Sequence, residues 1–193
     1  MMDQAAPAPA ETFLVARLPA RVGPLIRGEL YEDPLADLLD PTGIAEVTGG
    51  GTMMAEGGDI KFVDLEICVQ GDLAPVLDDI AAALEKINVP RGTELIDDNG
   101  TTLRTCGTRA IAGLALDGVS LPQEVYDSCS ADDVLDAMLD AMGPGHGYAG
   151  FHAMAETTVL YFFGDDYATM EKAMKKRMPK VPLCQNAELR QIA

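Results

Sequence analysis

The alternation of apolar and polar segments in the first half of the chain predicts strands and helices in turn. Residues 12–20, TFLVARLPA, are apolar with β-branched side chains and predict a strand, followed by a loop to residue 32. Asp33 and Pro34 suit the start of a short helix, as its cap and its first-turn residue. Two further apolar segments, at 44–54 and 60–70, predict a hairpin.

A longer helix and a closing strand are predicted after this hairpin. Asp72 is expected to cap the helix, and Pro90 with Gly92 to end it. TELID, residues 93–97, then predicts a short strand. The apolar residues of the helix recur at intervals of three and four and share one face: Leu73, Val76, Leu77, Ile80, Leu84 and Ile87.

The second half repeats this order of elements from residue 108. TRAIAGLALDGV predicts a strand, and the next helix begins at Ser130, with Asp133 at the spacing of a capping box. Two strands, GYAGFHAMAE and TTVLYFFGD, precede a helix capped by Asp165 or Asp166, and AELRQIA predicts the last strand. The predicted buried residues of the two helices are Val134, Leu135, Met138 and Met142, and Met170, Met174 and Met178.

Local similarity between the halves indicates an internal duplication. Each half has Gly-Asp before its second helix, Val-Pro after it and Glu-Leu in its closing strand. We therefore predict an α+β fold of two tandem ferredoxin-like (βαββαβ) units, each an antiparallel sheet with two helices on one face. The predicted boundaries are a disordered tail at 1–11, a first unit at 12–97, a junction at 98–107 and a second unit at 108–193.

Several segments resemble known families. ELYEDPL, EVTGGGTMM and VLYFFGDDYATMEKAM with the terminal VPLCQNAELRQIA resemble segments of a family of small bacterial proteins to which no activity is assigned. The order of strands and helices is also similar to that of ACT-type regulatory domains, a resemblance that implies amino-acid binding at the loop after the first strand. That loop contains VGPL here, without the acidic residue that precedes the Pro-Gly turn of ACT domains and with Gly and Pro in the opposite order.

The strong negative charge of the chain limits the classes of partner that it can bind. The 193 residues carry a formal net charge of −17, with 18 acids and 6 bases in residues 1–97. Such a field repels nucleic acid and anionic membranes and favours a basic protein partner. No apolar run reaches the ~18 residues of a membrane span, and the N-terminal residues lack a signal-peptide pattern. We therefore expect a cytoplasmic protein that does not bind membranes.

Residue types that serve catalysis or metal binding do not form a recognisable site. The cysteines are scattered without a CxxC pair, which indicates reduced, buried thiols. The spacing of His146 and His152 does not indicate a metal site. Cys129 precedes a helix, but neighbouring carboxylates oppose formation of its thiolate. We predict no catalytic residues, no metal and no cofactor.

The run TGGGT is the sharpest candidate for a small-molecule site. Glycine exposes backbone N–H groups that can bind an anion, yet phosphate loops lead into a helix, whereas this run continues into a predicted strand. Glycine within a strand also marks a bulge or the close passage of another backbone, which is the favoured interpretation. An anion site here would use Arg21, Arg27, Thr48, Gly49, Gly50, Gly51 and Thr52.

Charge and the lack of a catalytic motif favour a non-enzymatic interaction or inhibitor module that binds a basic partner, as immunity and decoy proteins do. One alternative is a regulatory module of ACT-like type that binds an anion or an amino acid at Arg21, Arg27 and Gly49–Gly51. Another is an enzyme whose site the sequence does not reveal. An exposed sheet edge or apolar sheet face could also pair two copies into a homodimer.

Overall fold

The computed structural model describes residues 11–193, and the tail predicted at 1–11 therefore lies outside the described residues except for Glu11, which begins the first strand. Five strands of the first half form one antiparallel sheet in the order β2-β3-β1-β4-β5. These strands are β1 (Glu11–Leu18), β2 (Ala45–Met54), β3 (Ile60–Gln70), β4 (Thr93–Asp97) and β5 (Thr102–Cys106).

Helices cover one face of this first sheet. The segment after β1 is helical almost throughout, and α3 (Leu77–Lys86) follows β3. The helical segment consists of α1 (Pro24–Arg27), a π-helical turn (Gly28–Glu32), α2 (Asp33–Leu39) and a 3-10 turn (Asp40–Thr42).

Three predicted features of these helices are wrong. Asp33 does not cap α2, because the chain is already helical before it and no side-chain cap is present. The predicted loop is helical from Pro24 onwards, because Pro24 suits a first helical turn and the turns that follow bury Tyr31 and Leu35. Asp72 does not cap α3, which begins at Leu77 without a side-chain cap. Pro75 accounts for the delay, since a proline disfavours the helical conformation of the residue before it.

The second half forms a four-stranded antiparallel sheet in the order β7-β8-β6-β9. Its helices include α4, which was not predicted, and α5, whose predicted capping box of Ser130 and Asp133 is present. Asp166 caps α6, as one of the two predicted alternatives. The elements are β6 (Ala110–Asp117), α4 (Gln123–Ser128), α5 (Ala131–Met142), β7 (Gly147–Ala153), β8 (Thr157–Gly164), α6 (Tyr167–Arg177), two 3-10 turns (Met178–Lys180 and Pro182–Cys184) and β9 (Glu188–Gln191).

The strand orders β2-β3-β1-β4 and β7-β8-β6-β9 are the same order in the two halves. The chain is therefore an α+β protein with two tandem ferredoxin-like units, as predicted. β5 was not predicted and lies within the segment assigned to the junction. It follows a tight turn in which Asp97 Oδ1 accepts hydrogen bonds from the backbone N–H groups of Asn99, at 3.0 Å, and Thr101, at 2.7 Å.

The helix-free face of the second sheet packs against the first half. In β8, Leu160 and Phe162 face α5 and α6, whereas Val159 and Tyr161 join the buried cluster of the first half. Gly150 of β7 lies directly against side chains of the segment that follows β1, namely Val22, Ile26 and Leu30. The helical segment after β1 therefore lies between the two sheets.

Gly150→Ala tests this contact between the halves. Gly150 has a φ of 96°, and an added Cβ would lie 2.6 Å from Cγ1 of Val22 and 2.8 Å from Cγ2 of Ile26. Gly145→Ala is the matched control, because Gly145 has a φ of 86° and no atom within 4 Å of the same position. We expect the control to lower the free energy of unfolding by about 1 kcal/mol and Gly150→Ala by about 1–3 kcal/mol more, measured by urea denaturation. Equal losses would contradict tight packing of the two halves here.

Candidate functional site

The TGGGT run lies inside β2, the edge strand of the first sheet, and leads into no helix. Val47 pairs with Ile67 and Gly49 pairs with Glu66, so Thr48 is the extra residue of a β-bulge. The hydroxyl of Thr48 donates a hydrogen bond to the backbone oxygen of Glu66 at 3.4 Å. The run therefore lacks the helix N-terminus at which phosphate loops hold their anion.

Gly50 faces the helices and leaves room for a buried ion pair. Arg27, only 9% exposed, bonds through Nε to the carboxylate of Glu32 and through Nη1 to Oγ1 of Thr52 at 2.8 Å. A Cβ on Gly50 would lie 2.5 Å from Oε1 of Glu32 and 2.5 Å from the backbone oxygen of Asp64. Gly50 is therefore explained by the close approach of a side-chain pair and of a neighbouring strand.

The π-helical turn is what brings this ion pair together. Arg27 immediately precedes the turn and Glu32 ends it, five residues later. Residues five apart diverge on an α-helix but approach one another where the helix widens by one residue per turn. The sequence pattern predicts a loop here and does not indicate this arrangement, because α-helical periodicity does not describe a π-helical turn.

The arginines of the predicted anion site already have partners within the protein. Arg27, Gly50 and Thr52 lie together, but the guanidinium of Arg27 is already bonded within the protein. Arg21 pairs with Asp59 at 2.9 Å. Both guanidinium groups are therefore already bonded to carboxylates of the protein.

The opposite face of the first sheet points away from these helices, and we call it the open face. Its residues alternate with buried core residues such as Leu14, Ala16 and Leu65, and the strand register places them side by side. On strands β1 to β4, the open face is formed by Phe13, Val15, Arg17, Glu46, Gly49, Gly51, Met53, Phe62, Asp64, Glu66, Cys68, Glu94 and Ile96.

Apolar and acidic side chains are both accessible on the open face. Phe13 is 52% exposed and Met53 is 47% exposed, while Phe62 is half-buried. Glu46 and Glu66 are exposed close to the β2 edge. Exposed apolar groups with charged neighbours are the composition expected of a protein-interaction surface.

Arg17 is the base of the open face, and its charge is already compensated. It forms two hydrogen bonds with the carboxylate of Asp64, each 2.9 Å long, and its guanidinium carbon lies 4.1 Å from the ring centroid of Phe62. The hydrogen bond with Asp64 is the main cause that raises the pKa of Arg17. Among residues 11–193, Glu46 and Glu66 have no ion-pair partner, so this face is net acidic.

A shallow cleft of about 570 Å³ lies at one end of the second sheet, beside Asp117, Glu156, Asn186 and Arg190. Asp117 accepts hydrogen bonds from the hydroxyl of Ser120 and from the backbone N–H groups of Ser120 and Val119, and these bonds lower its pKa. This carboxylate therefore holds the loop together and is not a free acid or base.

Groups with nucleophilic or metal-binding potential stay apart. All four cysteines are buried and free, as predicted, and burial raises the pKa of both Cys106 and Cys184 to about 11. Nε2 of His152 lies 2.8 Å from the backbone oxygen of Gly58, whereas His146 contacts Gly143. No group of three or more His, Cys, Asp or Glu side chains in residues 11–193 could hold a metal ion.

None of the helices formed by residues 11–193 combines the length and the apolar character needed to cross a membrane.

Comparisons with known proteins return only distant likenesses. No protein-family model matches the chain, and no curated protein sequence does. A structure of an unknown protein from Galdieria sulphuraria has 11% identity and a TM-score of 0.30, over 94% of this chain and 98% of that one. A candidate glycine cleavage system transcriptional repressor has 10% identity and a TM-score of 0.29, over 94% of this chain and 97% of that one. An anthrone oxidase-like protein has 16% identity and a TM-score of 0.24, over 93% of this chain and 90% of that one. These TM-scores are too low to support an argument about function.

Alanine substitutions at two adjacent glycines test the steric account of β2. A Cβ on Gly50 would overlap backbone and a buried ion pair, whereas one on Gly51 would meet no atom within 4 Å. We expect Gly50→Ala to lower the free energy of unfolding by about 1–3 kcal/mol, and Gly51→Ala to leave it unchanged or raise it by up to about 1 kcal/mol. Urea denaturation of both variants measures the difference, and an equal effect would contradict the close approach at Gly50.

Proposed function

We propose that this protein is a non-enzymatic interaction module whose open face binds a basic protein partner. The observation that carries the proposal is the open face itself, where apolar side chains lie exposed beside uncompensated carboxylates. The corresponding face of the second sheet is covered by the first half of the chain, which leaves the open face as the uncovered sheet surface of the described residues.

The charge of the face specifies the partner. The whole chain has a net charge of −17, and Glu46 and Glu66 add local negative charge where Phe13 and Met53 are exposed. Acidic groups at the rim steer a basic protein into contact and repel acidic ones, while desolvated apolar groups supply most of the affinity. Two copies of the open face would repel one another, so the same surface disfavours a homodimer through this face.

An inhibitory role fits these properties. A module that covers a basic site on its partner needs complementary charge, a rigid surface and no chemistry of its own. A β-sheet backed by helices supplies the rigidity. The alternative of an anion-binding regulatory module has less support, because Arg21 and Arg27 are already paired with Asp59 and Glu32.

The test compares charge reversal on the open face with the same change elsewhere. Wild-type protein, Glu66→Lys and Asp136→Lys are immobilised and exposed to cell extract at low salt, and retained proteins are identified by mass spectrometry. Asp136 is the matched control, because it is an exposed acid on α5 in the second unit. We expect basic proteins retained by the wild type and by Asp136→Lys to be lost from Glu66→Lys.

With a purified partner, the contributions of the acidic and the apolar side chains of the open face to binding can be measured separately. We expect the association rate to fall by about tenfold or more between low and physiological salt, and Phe13→Ser to accelerate dissociation by a similar factor. Equal losses in Glu66→Lys and Asp136→Lys would attribute retention to overall charge instead of the open face. Retention of no basic protein by the wild type would contradict the proposal.

A further inference from the structure

The cleft of about 570 Å³ at one end of the second sheet is separate from the open face, and we call it the end cleft. Its floor is apolar, because Ala115 and Val159 lie opposite one another on the face of the sheet that has no helices. Charged side chains stand around this floor, namely Arg190 and Glu188 of β9 and Glu156 of the turn before β8. Apolar and charged groups are therefore both available to a ligand.

The charged groups around this floor have no partners within residues 11–193. Arg190, Glu188 and Glu156 are exposed, and none of them forms an ion pair. Glu188 and Arg190 are two residues apart on one strand and face the same side of the sheet, yet they do not bond to each other. The end cleft therefore presents positive and negative charge that the protein leaves uncompensated.

The hydroxyl of Tyr161 is directed toward Arg190 and lacks a partner. Tyr161 is 1% exposed, and its hydroxyl has no hydrogen bond among residues 11–193. Gly113 of β6 pairs with Tyr161 on one side and with Arg190 on the other. A Cβ on Gly113 would lie 3.2 Å from Cε1 of Tyr161, so the ring extends across the glycine toward Arg190. Buried polar groups are normally hydrogen-bonded, and this exception indicates that an acceptor from outside the chain completes the site.

Tyr161 and Arg190 together offer hydrogen-bond donors for a carboxylate. Burial and the charge of Asp59 raise the pKa of Tyr161, and the guanidinium of Arg190 opposes this rise only in part, so the hydroxyl keeps its proton at neutral pH. A guanidinium binds a carboxylate through parallel hydrogen bonds. Arg190 is exposed, and its side chain is free to turn and admit a carboxylate to the buried hydroxyl.

We propose that the end cleft binds a small zwitterion, with its carboxylate between Arg190 and the hydroxyl of Tyr161 and its cationic group at Glu188 and Glu156. The apolar floor receives the carbon chain that joins the two charges. The glutamates repel a simple anion and Arg190 repels a simple cation, so the site selects a molecule that carries both charges. The inference is independent of the function proposed above, because no residue assigned to the open face lines the end cleft.

A series of ω-amino acids tests the proposal. β-Alanine, 4-aminobutyrate and 6-aminohexanoate are titrated into the 15N-labelled protein at constant ionic strength. The alkyl carboxylate and the alkylamine of the same chain length serve as controls that lack one of the charges. We expect at least one ω-amino acid to shift the amide resonances of Ala115, Val159 and Arg190, and to bind about tenfold or more tightly than its two controls. No saturable shift with any of the three, or equal binding by the controls, would overturn the proposal.

Two substitutions test the assignment of the charges. Arg190→Gln should abolish binding of the ω-amino acid, whereas Glu188→Gln should weaken it and strengthen binding of the alkyl carboxylate, because a repelling charge is removed. Arg104→Gln is the matched control, since Arg104 is an exposed arginine on β5 of the first sheet, and it should bind as the wild type does. Equal binding by Arg190→Gln and Arg104→Gln would overturn the proposal.

Tyr161→Phe tests the role of the hydroxyl. The hydroxyl has no partner in the free protein, so its removal should leave the thermal unfolding temperature at or above that of the wild type. We expect the affinity for the ω-amino acid to fall by about fivefold or more, which at unchanged stability is not a sign of misfolding. Unchanged affinity in Tyr161→Phe would overturn the part of the proposal that places the carboxylate at this hydroxyl.

Discussion

The helical segment after β1 is packed tightly on two sides, and the arrangement of the whole molecule depends on it. On one side, Arg27 and Glu32 lie against Gly50 of the first sheet. On the other side, Ile26 and Leu30 lie against Gly150 of the second sheet. A glycine on each side lets both sheets approach the same helix, and a side chain at either position would force the layers apart. The covered face of the second sheet and the uncovered face of the first follow from this packing.

The periodicity of apolar residues is sufficient to predict the fold class, but it does not predict the helical segment after β1 or the strand β5. Three predicted features depend on residues near one another in sequence, and the structure contains all of them: the repeated order of elements, the capping box at Ser130, and a cap at Asp165 or Asp166, which is Asp166. The sequence predicts a loop from Pro24 because a π-helical turn has a periodicity that α-helical templates miss. β5 escaped prediction because it is short and mostly exposed, so its polarity does not alternate.

The candidate site shows a different limit of prediction. The sequence pattern places Arg27, Gly50 and Thr52 in one candidate site, and the structure does bring them together. Arg27 forms a buried ion pair with Glu32 and donates a hydrogen bond to the hydroxyl of Thr52, while Gly50 leaves room for the ion pair. The sequence could not show that Glu32 occupies the guanidinium, since that depends on the π-helical turn. It also could not separate the three glycines, which have unlike roles: one admits an ion pair, and the others leave backbone bare on the opposite side. Tertiary register, which sets the side each residue faces, supplied that distinction.

Duplication followed by stacking gives the chain two dissimilar ends. One terminates in a pleated surface, and the other in the outer helices α5 and α6, which cover the second sheet. The helices of the first unit already cover the sheet of the second. A further unit of the same design could therefore stack in only two ways: its helices could cover the open face of the first sheet, or its sheet could cover α5 and α6. The two ends of the stack are therefore different surfaces. A partner that covers the open face would occupy the position that the helices of a further unit would take.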